Sequence, residues 1–174
     1  FIMSRLNVSE IFVQIAGLVN QEAISPTAGS AEWNLWLSYL NRSTEEWTNS
    51  ADWEVLRKRF YPPITGTTQA SVSLPADFIK IAAAPKLYDG SITTGVEFPE
   101  LLPEQEGLFA STDKYFQVTG NISDGFSMVF HPGTLASGAS LVIQYFSTPT
   151  SLVSASQYSL IPDSEFLVNN VIAK

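Results

Sequence analysis

The 174-residue chain contains no cysteine and a single histidine, His131. Without cysteine, a disulfide framework, a zinc–thiolate site and a thiol nucleophile are all excluded. A lone histidine cannot build a zinc site without carboxylate partners at helical or hairpin spacing, and His131 instead stands beside Pro132-Gly133. We therefore expect no metal or other cofactor, and no catalytic role for His131.

Long apolar runs are also lacking. No apolar run reaches the roughly 18 residues that a membrane-spanning helix needs. The opening segment, FIMSRLNVSE, lacks the long apolar core of a signal peptide. We expect no membrane partner, and the absence of an initial methionine leads us to expect that the sequence is part of a longer chain.

Positive charge is scarce, with nine Lys plus Arg against 17 Asp plus Glu and a formal net charge of −8. A surface that neutralises phosphates needs clustered Lys and Arg, so sequence-specific DNA binding is not expected. The only dense basic run is Arg57-Lys58-Arg59, which would suit the macrodipole at the end of a helix. An acidic surface would suit DNA that must slide past without sticking.

Apolar residues at helical spacing predict three helices in the first part of the chain. The first helix carries on one face Val8, Ile11, Phe12, Ile15 and Leu18. The second carries Trp33, Trp36, Leu37, Leu40 and Trp47. The third is capped by Ser50 and turns inward Trp53, Leu56 and Phe60, before Pro62-Pro63 ends it.

The tryptophans of the second helix have two interpretations. An aromatic stripe at helical spacing is typical of a buried core. Because Trp is also a common interface anchor, part of the stripe could seal a boundary between subunits. Trp33, Trp36 and Trp47 are therefore candidate interface or structural residues.

After Pro62-Pro63 the apolar period changes from about 3.6 to 2, which predicts strands. Alternating runs include Val72-Leu74, Ile79-Ile81, Val96-Phe98 and Phe126–Phe130. The run Leu141–Phe146 is apolar on nearly both faces, as in a central strand. Turn residues such as Gly120-Asn121 and Asp124-Gly125 separate the runs, so the pattern predicts an antiparallel sandwich or small barrel.

Helical spacing returns after Pro162-Asp163, with Phe166, Leu167, Asn170 and Val171. Roughly twelve residues are marginal for an isolated helix, so this one should pack on the front helices or continue in a longer chain. The sequence thus predicts an α+β fold with two parts. Residues 1–62 and 163–174 form an N- and C-terminal helical bundle, and residues 63–162 form an inserted antiparallel β-sandwich or barrel.

No catalytic constellation is evident in the sequence. The acidic stretch of Glu97, Glu100, Glu104 and Glu106 lies between prolines and is typical of a solvated loop. It lacks the pattern of a calcium loop, and its spacing identifies no acid/base pair. No nucleophile elbow or phosphate-binding loop appears. We expect no enzyme activity, and a glycosidase-like use of two of these glutamates is the weakest hypothesis.

Several short segments occur in one order along the chain: LPADFIK, LYDG, LLPEQ, YFQVTGN, GFSMVFHPG, SGASLVIQYFSTPTSLV and IPDSEFLV. In this order they resemble the head-to-tail adaptor proteins of tailed bacteriophages, the connector or tail-tubular proteins of podovirus-like necks. The similarity runs from about Trp33 to the end of the sequence. It rests on the ordered series, because LPADF alone would be a weak signal.

This resemblance implies a structural virion protein that joins the capsid to the tail. Its copies would form a ring, typically of twelve, beneath the portal. Its partners would be the portal protein, a tail or nozzle protein, and DNA that passes through the channel without sequence-specific binding. It would lie in the neck of the virion after assembly in the host cytoplasm. The portal-binding arm of such adaptors would lie beyond Lys174, so no portal contact is assigned.

The same resemblance gives the LPADF segment a structural role. Pro75 would end a strand, Ala76 and Asp77 would make a short helical turn, and Phe78 would plug the sheet while the chain reverses. Further candidate interface or structural residues from the series are Tyr88, Gln105 and Phe166.

The alternative is a carbohydrate-binding β-sandwich module of a tail fibre or secreted protein. Such a module would expose aromatic side chains on its sheet, for example Tyr115, Phe116 or Tyr145. The aromatic residues of this chain are instead concentrated in the predicted helices, so the adaptor interpretation is preferred.

Overall fold

A computed structural model describes residues 5–19, 24–64, 70–82, 86–89, 96–102, 105, 107–108, 113–131 and 140–174. Within these ranges the chain forms three α-helices and eight β-strands. The predicted mixture of helix and antiparallel sheet is confirmed at the level of an α+β fold. The chain divides into two compact units, which we call the helical unit, Phe1–Val55 with Pro149–Lys174, and the sheet unit, Leu56–Thr148. The chain passes from one unit to the other after Val55 and again after Thr148. The sequence predicts these boundaries later, after residues 62 and 162.

The helical unit contains α1 (Val8–Val19), α2 (Ala31–Ser50) and α3 (Ser164–Ile172). Polar side chains cap each helix start, where backbone N–H groups lack helical partners. The Trp33 N–H donates to Ser30 Oγ at 3.1 Å, and the Phe166 N–H donates to Asp163 Oδ1 at 3.2 Å. Asn7 and Glu10 exchange two such bonds at the start of α1, as in a capping box. The first, second and C-terminal predicted helices are thus confirmed.

Both ends of the chain build the core of the helical unit, and α3 packs against α1 and α2. Its buried residues are Val8, Ile11, Phe12, Ile15, Trp33, Leu40, Leu152, Ile161, Leu167, Val168 and Val171. The prediction that Leu18 belongs to the buried face of α1 is wrong, because Leu18 is 65% exposed. The last turn of α1, from Gly17 to Val19, is exposed throughout.

The third predicted helix is also wrong. Glu54–Leu56 form a single 3-10 turn, and Arg57–Phe60 form β1, so the basic run does not lie at a helix end. Leu56 is buried as expected, but Trp53 and Phe60 are only half-buried. The physical reason is strand pairing: β1 runs antiparallel to β8, from Arg57 opposite Phe146 to Phe60 opposite Ile143. Tertiary pairing overrides the local helical spacing.

The strands are β1 (Arg57–Phe60), β2 (Ser71–Ser73), β3 (Phe78–Ile81), β4 (Lys86–Asp89), β5 (Val96–Glu97), β6 (Tyr115–Asn121), β7 (Gly125–His131) and β8 (Ser140–Ser147). In the five-stranded sheet, β1 pairs with one edge of β8, while β3 and β4 follow one another along its other edge. Strand β5 then pairs with β4. The prediction that Leu141–Phe146 belongs to a central strand is confirmed. The second sheet has the order β2-β7-β6, and the pairs between the named strands of both sheets are antiparallel.

Both sheets contribute to one cluster of buried side chains. Its members are Val72, Leu74, Phe78, Phe98, Phe116, Met128, Phe130, Leu141, Ile143 and Tyr145. Alternate residues of β8 enter this core, so the intervening Val142, Gln144 and Phe146 lie on the opposite face. Strand β3 breaks its alternation: the register shifts between Phe78 and Lys80, which leaves Ile79 42% exposed.

A tight hairpin joins β6 to β7, as the sequence predicts. Asn121 Oδ1 accepts hydrogen bonds from the N–H groups of Ser123 and Asp124, at 2.8 and 3.0 Å. Gly120 has a φ of +115°, and a Cβ there would lie 2.2 Å from the carbonyl oxygen of Gly125. Only glycine fits this position, because a side chain would be strained and would also collide with backbone.

Candidate functional site

The LPADF segment carries the chain from one sheet to the other. The Leu74 N–H donates to the Phe126 carbonyl of the three-stranded sheet at 2.8 Å, and the Thr148 N–H, just after β8, donates to the Asp77 carbonyl at 2.8 Å. Between them, the Phe78 N–H donates to the Pro75 carbonyl at 3.0 Å and closes a single turn. The turn fixes both sheets at the point where the chain crosses between them.

Phe78 follows this turn directly and is buried in the core that the two sheets share. Its ring centroid lies 5.3 Å from that of Phe126 and 5.9 Å from that of Tyr145. These distances are typical of favourable aromatic pairs. Phe78 thus contacts β7 of one sheet and β8 of the other.

Asp77 is the polar centre of this region. Lys58 Nζ of β1 lies 2.6 Å from Asp77 Oδ2, and the Tyr145 hydroxyl of β8 donates to Asp77 Oδ1 at 2.9 Å. We call these three side chains the Asp77 network. It joins β1, the turn and β8, and each carboxylate oxygen of Asp77 has one side-chain partner.

The pKa values of the network follow from these contacts. Burial alone would raise the pKa of Asp77, but hydrogen bonds from Lys58 and Tyr145 and the charge of Lys58 outweigh it, and the pKa lies below its usual value. Burial, the hydrogen bond to Asp77 and the negative charge of Asp77 raise the pKa of Tyr145 to about 12. At neutral pH Asp77 is therefore a carboxylate and Tyr145 a neutral phenol.

The candidate tryptophans of α2 occupy two separate places. The Phe12 ring packs edge-to-face against two of them, and its centroid lies 4.7 Å from that of Trp33 and 5.5 Å from that of Trp36. Trp33 is buried, whereas Trp36 is half-buried. Further along α2, Trp47 stacks on Trp53 with centroids 4.0 Å apart, and the Trp53 indole N–H donates to the Trp47 carbonyl at 2.8 Å. Trp33 is thus a core residue, and part of Trp36 and of Trp47 reaches the surface.

The remaining candidates are Tyr88, Gln105 and Phe166. Tyr88 lies in β4, where its backbone pairs with Ser140 and Glu97, and its side chain is outside the described residues. Gln105 folds back on its own segment, with Oε1 accepting the Leu102 N–H at 3.2 Å. Phe166 is 36% exposed on α3, while the adjacent Leu167 is fully buried. The candidates are divided between the helical unit and the sheet unit.

The structure also shows a surface that sequence reasoning missed. Arg57, Arg59 and Lys80 are exposed on the face of the five-stranded sheet that points away from the core. Arg57 Nη2 donates to Gln144 Oε1, and Lys80 Nζ lies 5.5 Å from the centroid of the Phe146 ring. We call this the cationic sheet face. The alternation of Arg57 and Arg59 around Lys58 was the available signal, but a helical interpretation of the segment concealed it.

Of the residues weighed for chemistry, the structure describes the side chains of His131 and Glu100. The His131 ring stacks on the Tyr115 ring at 4.6 Å. Burial raises the pKa of Glu100, but Glu104, Glu106 and the side chain of Glu97 lie outside the described residues. In the part of the chain that the structure describes, no three His, Cys, Asp or Glu side chains are placed to hold a metal ion.

Two of the three aromatic residues proposed for sugar binding are buried. Phe116 is fully buried and Tyr145 is 4% exposed, so neither presents a ring face to a ligand. Tyr115 is half-buried and already stacks on His131. These placements give the carbohydrate-binding alternative no exposed aromatic platform at the positions it named.

Comparison with protein-family models and with the sequences of curated proteins gives no match. Among the described helices, none is long and apolar enough to cross a membrane. The role of the chain must therefore be inferred from its fold, its surfaces and the ordered segments described above.

Proposed function

We propose that this chain is a head-to-tail adaptor, a structural subunit of the neck of a tailed bacteriophage. In this role its copies form a ring of about twelve beneath the portal, join the capsid to the tail and let DNA pass. The portal and a tail or nozzle protein are its partners. We also propose the fold that the resemblance implies, a helical bundle interrupted by an inserted β-sandwich.

One observation carries this proposal. The two ends of the chain build one unit, and the stretch between them builds another with its own core. This arrangement of an insertion within a helical platform is what the resemblance to adaptor proteins leads us to expect. It supports the proposal because the ordered sequence segments and the division of the chain into two units are independent observations.

The polar contacts of Asp77 and the partly exposed aromatic side chains of the helical unit support a role in assembly. Asp77, a carboxylate of the sheet unit with two side-chain partners, joins strands. Half-buried Trp36 and Trp47, and exposed Phe166, leave aromatic surface on the helical unit. Aromatic side chains of this kind are common anchors of protein interfaces.

Net charge supports the passage of DNA. With a formal charge of −8, the chain repels the phosphate backbone over distances of about a Debye length, roughly 10 Å at 0.1 M salt. A ring built from such subunits lets DNA slide because it offers few phosphate contacts. Sequence-specific binding is not part of the proposal.

The proposal is tested by removing the chain from the phage that encodes it. DNA-filled heads without tails should accumulate, and the wild-type chain supplied from a plasmid should restore tailed particles. A variant with Glu100→Gln and His131→Asn should restore them equally well. Tailed particles that form without the chain would contradict an adaptor role. If those particles fail only at cell-wall penetration, an enzyme is favoured instead.

A further inference from the structure

Charge is unevenly divided between the two units. The helical unit holds nine Asp plus Glu against three Lys plus Arg, a net charge of −6. The sheet unit holds eight against six, a net charge of −2. Four of its six basic residues lie on β1 and β3, at Arg57, Lys58, Arg59 and Lys80. The chain therefore joins a strongly acidic unit to a unit with a concentrated basic surface.

The cationic sheet face has the composition of a protein interface. Its centre contains the half-buried side chains of Val142 and Phe146, and its margin contains exposed Arg57, Arg59 and Lys80. Interfaces typically place apolar and aromatic groups at the centre and polar groups at the rim, with Arg and aromatic residues enriched. The face thus offers apolar contact and positive charge together.

A single-stranded nucleic acid fits this face less well than an acidic protein surface. Nucleic-acid platforms stack bases on open aromatic rings and follow the backbone with many cations. Here the ammonium of Lys80 already lies over Phe146 at 5.5 Å. Three exposed cations surround the ring among the described side chains, Arg57, Arg59 and Lys80, so the salt dependence of phosphate binding through them would be small.

We propose that the cationic sheet face binds the acidic helical unit of a second copy of this chain. Because two different surfaces meet, the contact is head-to-tail, and repeating it generates a closed ring or an open filament. This inference rests on the proposed ring and identifies the surfaces that form it. Complementary charge guides the copies together, and the apolar centre around Phe146 is covered when they meet.

The first test is charge reversal. The variant R59E/K80E should raise by at least about tenfold the concentration at which the chain assembles on its portal, because two acidic surfaces would then face each other. K114E is the matched control, since Lys114 is exposed in the same unit and lies 5.4 Å from the Phe98 ring. It should assemble like the wild type. The neutral variant R59Q/K80Q covers the case in which R59E/K80E fails to fold, and should show a smaller loss.

The second test identifies the surface that each face meets. Wild-type chains with and without a heavy-isotope label are mixed, assembled on the portal and treated with a carbodiimide, which couples lysine amines to carboxylates. Cross-links between copies should join Lys80 to acidic residues of the helical unit. Cross-links between copies that join Lys80 only to the sheet unit would overturn the inference.

Further outcomes separate this inference from the proposed function. If R59E/K80E forms the same ring as the wild type, the adaptor role survives and this interface is wrong. If the wild-type chain never self-associates, with or without the portal, both are wrong. Binding of a single-stranded oligonucleotide that R59E/K80E abolishes, while assembly is unchanged, would assign the face to nucleic acid instead.

Discussion

The helical unit and the sheet unit are held together in different ways. The core of the helical unit joins residues from the two ends of the chain, such as Phe12 and Leu167, through apolar contacts. The sheet unit closes within one continuous stretch, and its apolar core is supplemented by the Asp77 network. Stability of the first unit therefore depends on bringing distant ends together, and that of the second on strand register and on a partly buried polar network.

The difference has a practical consequence for measurement. All four tryptophans, Trp33, Trp36, Trp47 and Trp53, lie in the helical unit. Tryptophan fluorescence thus follows unfolding of that unit alone, whereas circular dichroism follows both. Comparing the two signals shows whether the units unfold together or separately.

The largest effect on stability is expected when a buried aromatic ring is removed from the core of either unit. Phe12→Ala and Phe116→Ala each remove a fully buried ring and should lower the free energy of unfolding by about 3 to 5 kcal/mol. If the units unfold separately, only Phe12→Ala shifts the tryptophan transition in urea. Leu18→Ala, at an exposed position of the same helix, is the control and should change little. An equal shift of the fluorescence transition by both core variants would show that the units unfold as one.

Two neighbouring residues of α3 sharpen the comparison within the helical unit. Leu167→Ala removes a fully buried side chain from the contact of α3 with α1 and α2, and should lower the free energy of unfolding by about 2 to 5 kcal/mol. Phe166→Ala removes a partly exposed ring, and its melting temperature should change far less. If Phe166→Ala destabilised as much as Leu167→Ala in thermal melts, α3 would not pack as described.

A smaller effect is expected in the Asp77 network. Tyr145→Phe removes one hydrogen bond and should cost about 1 kcal/mol. Asp77→Asn keeps an acceptor for Tyr145 but loses the ion pair with Lys58, and should cost about 1 kcal/mol or less because that pair is half exposed. A double-mutant cycle in urea should show coupling between the two sites. Strict additivity would mean that the hydrogen bond from Tyr145 is equally strong with a charged and with a neutral acceptor.

The same network predicts how stability depends on pH. The pKa of Asp77 is lowered by folding, so its contribution is present above the usual pKa and lost as the pH falls through the folded value. The pKa of Tyr145 is raised to about 12, so its contribution is complete below about pH 10 and declines between about pH 10 and 12. Asp77→Asn should lower the pKa of Tyr145, because a neutral amide no longer opposes the phenolate. Phenolate absorbance, with Tyr145→Phe as the reference, measures this shift.

The smallest effect is expected at the surface of the helical unit. Glu46 lies 2.8 Å from Lys174 and 3.2 Å from Arg42, and the hydrogen bond from Lys174 is the main reason that its pKa lies below the usual value. Because the Glu46 carboxylate is exposed to water, Glu46→Gln should leave the thermal transition within replicate scatter, and added salt should not change the difference. A clear loss of stability would mean that α3 is held by this ion pair and not by its apolar face.

Periodicity predicted the helical unit well and the sheet unit less well. Long apolar stripes such as that of α2 mark one helix face whatever their partners, so α1, α2 and α3 could be found from sequence. The stretch Trp53–Phe60 also has helical spacing, yet it forms a turn and β1 because β8 offers a pairing edge distant in sequence. The cationic sheet face was hidden by the same error. The Asp77 network could not be predicted, since spacing does not reveal that Lys58, Asp77 and Tyr145 meet.

We propose that the chain works by assembling into a ring at a portal. Electron microscopy and native mass spectrometry of the chain, mixed with the proposed portal partner, are the decisive measurements. Closed rings of about twelve copies should form, stacked on the portal, with an axial opening that admits duplex DNA. If the chains stay monomeric beside the portal, or form only dimers without an opening, the proposal is wrong.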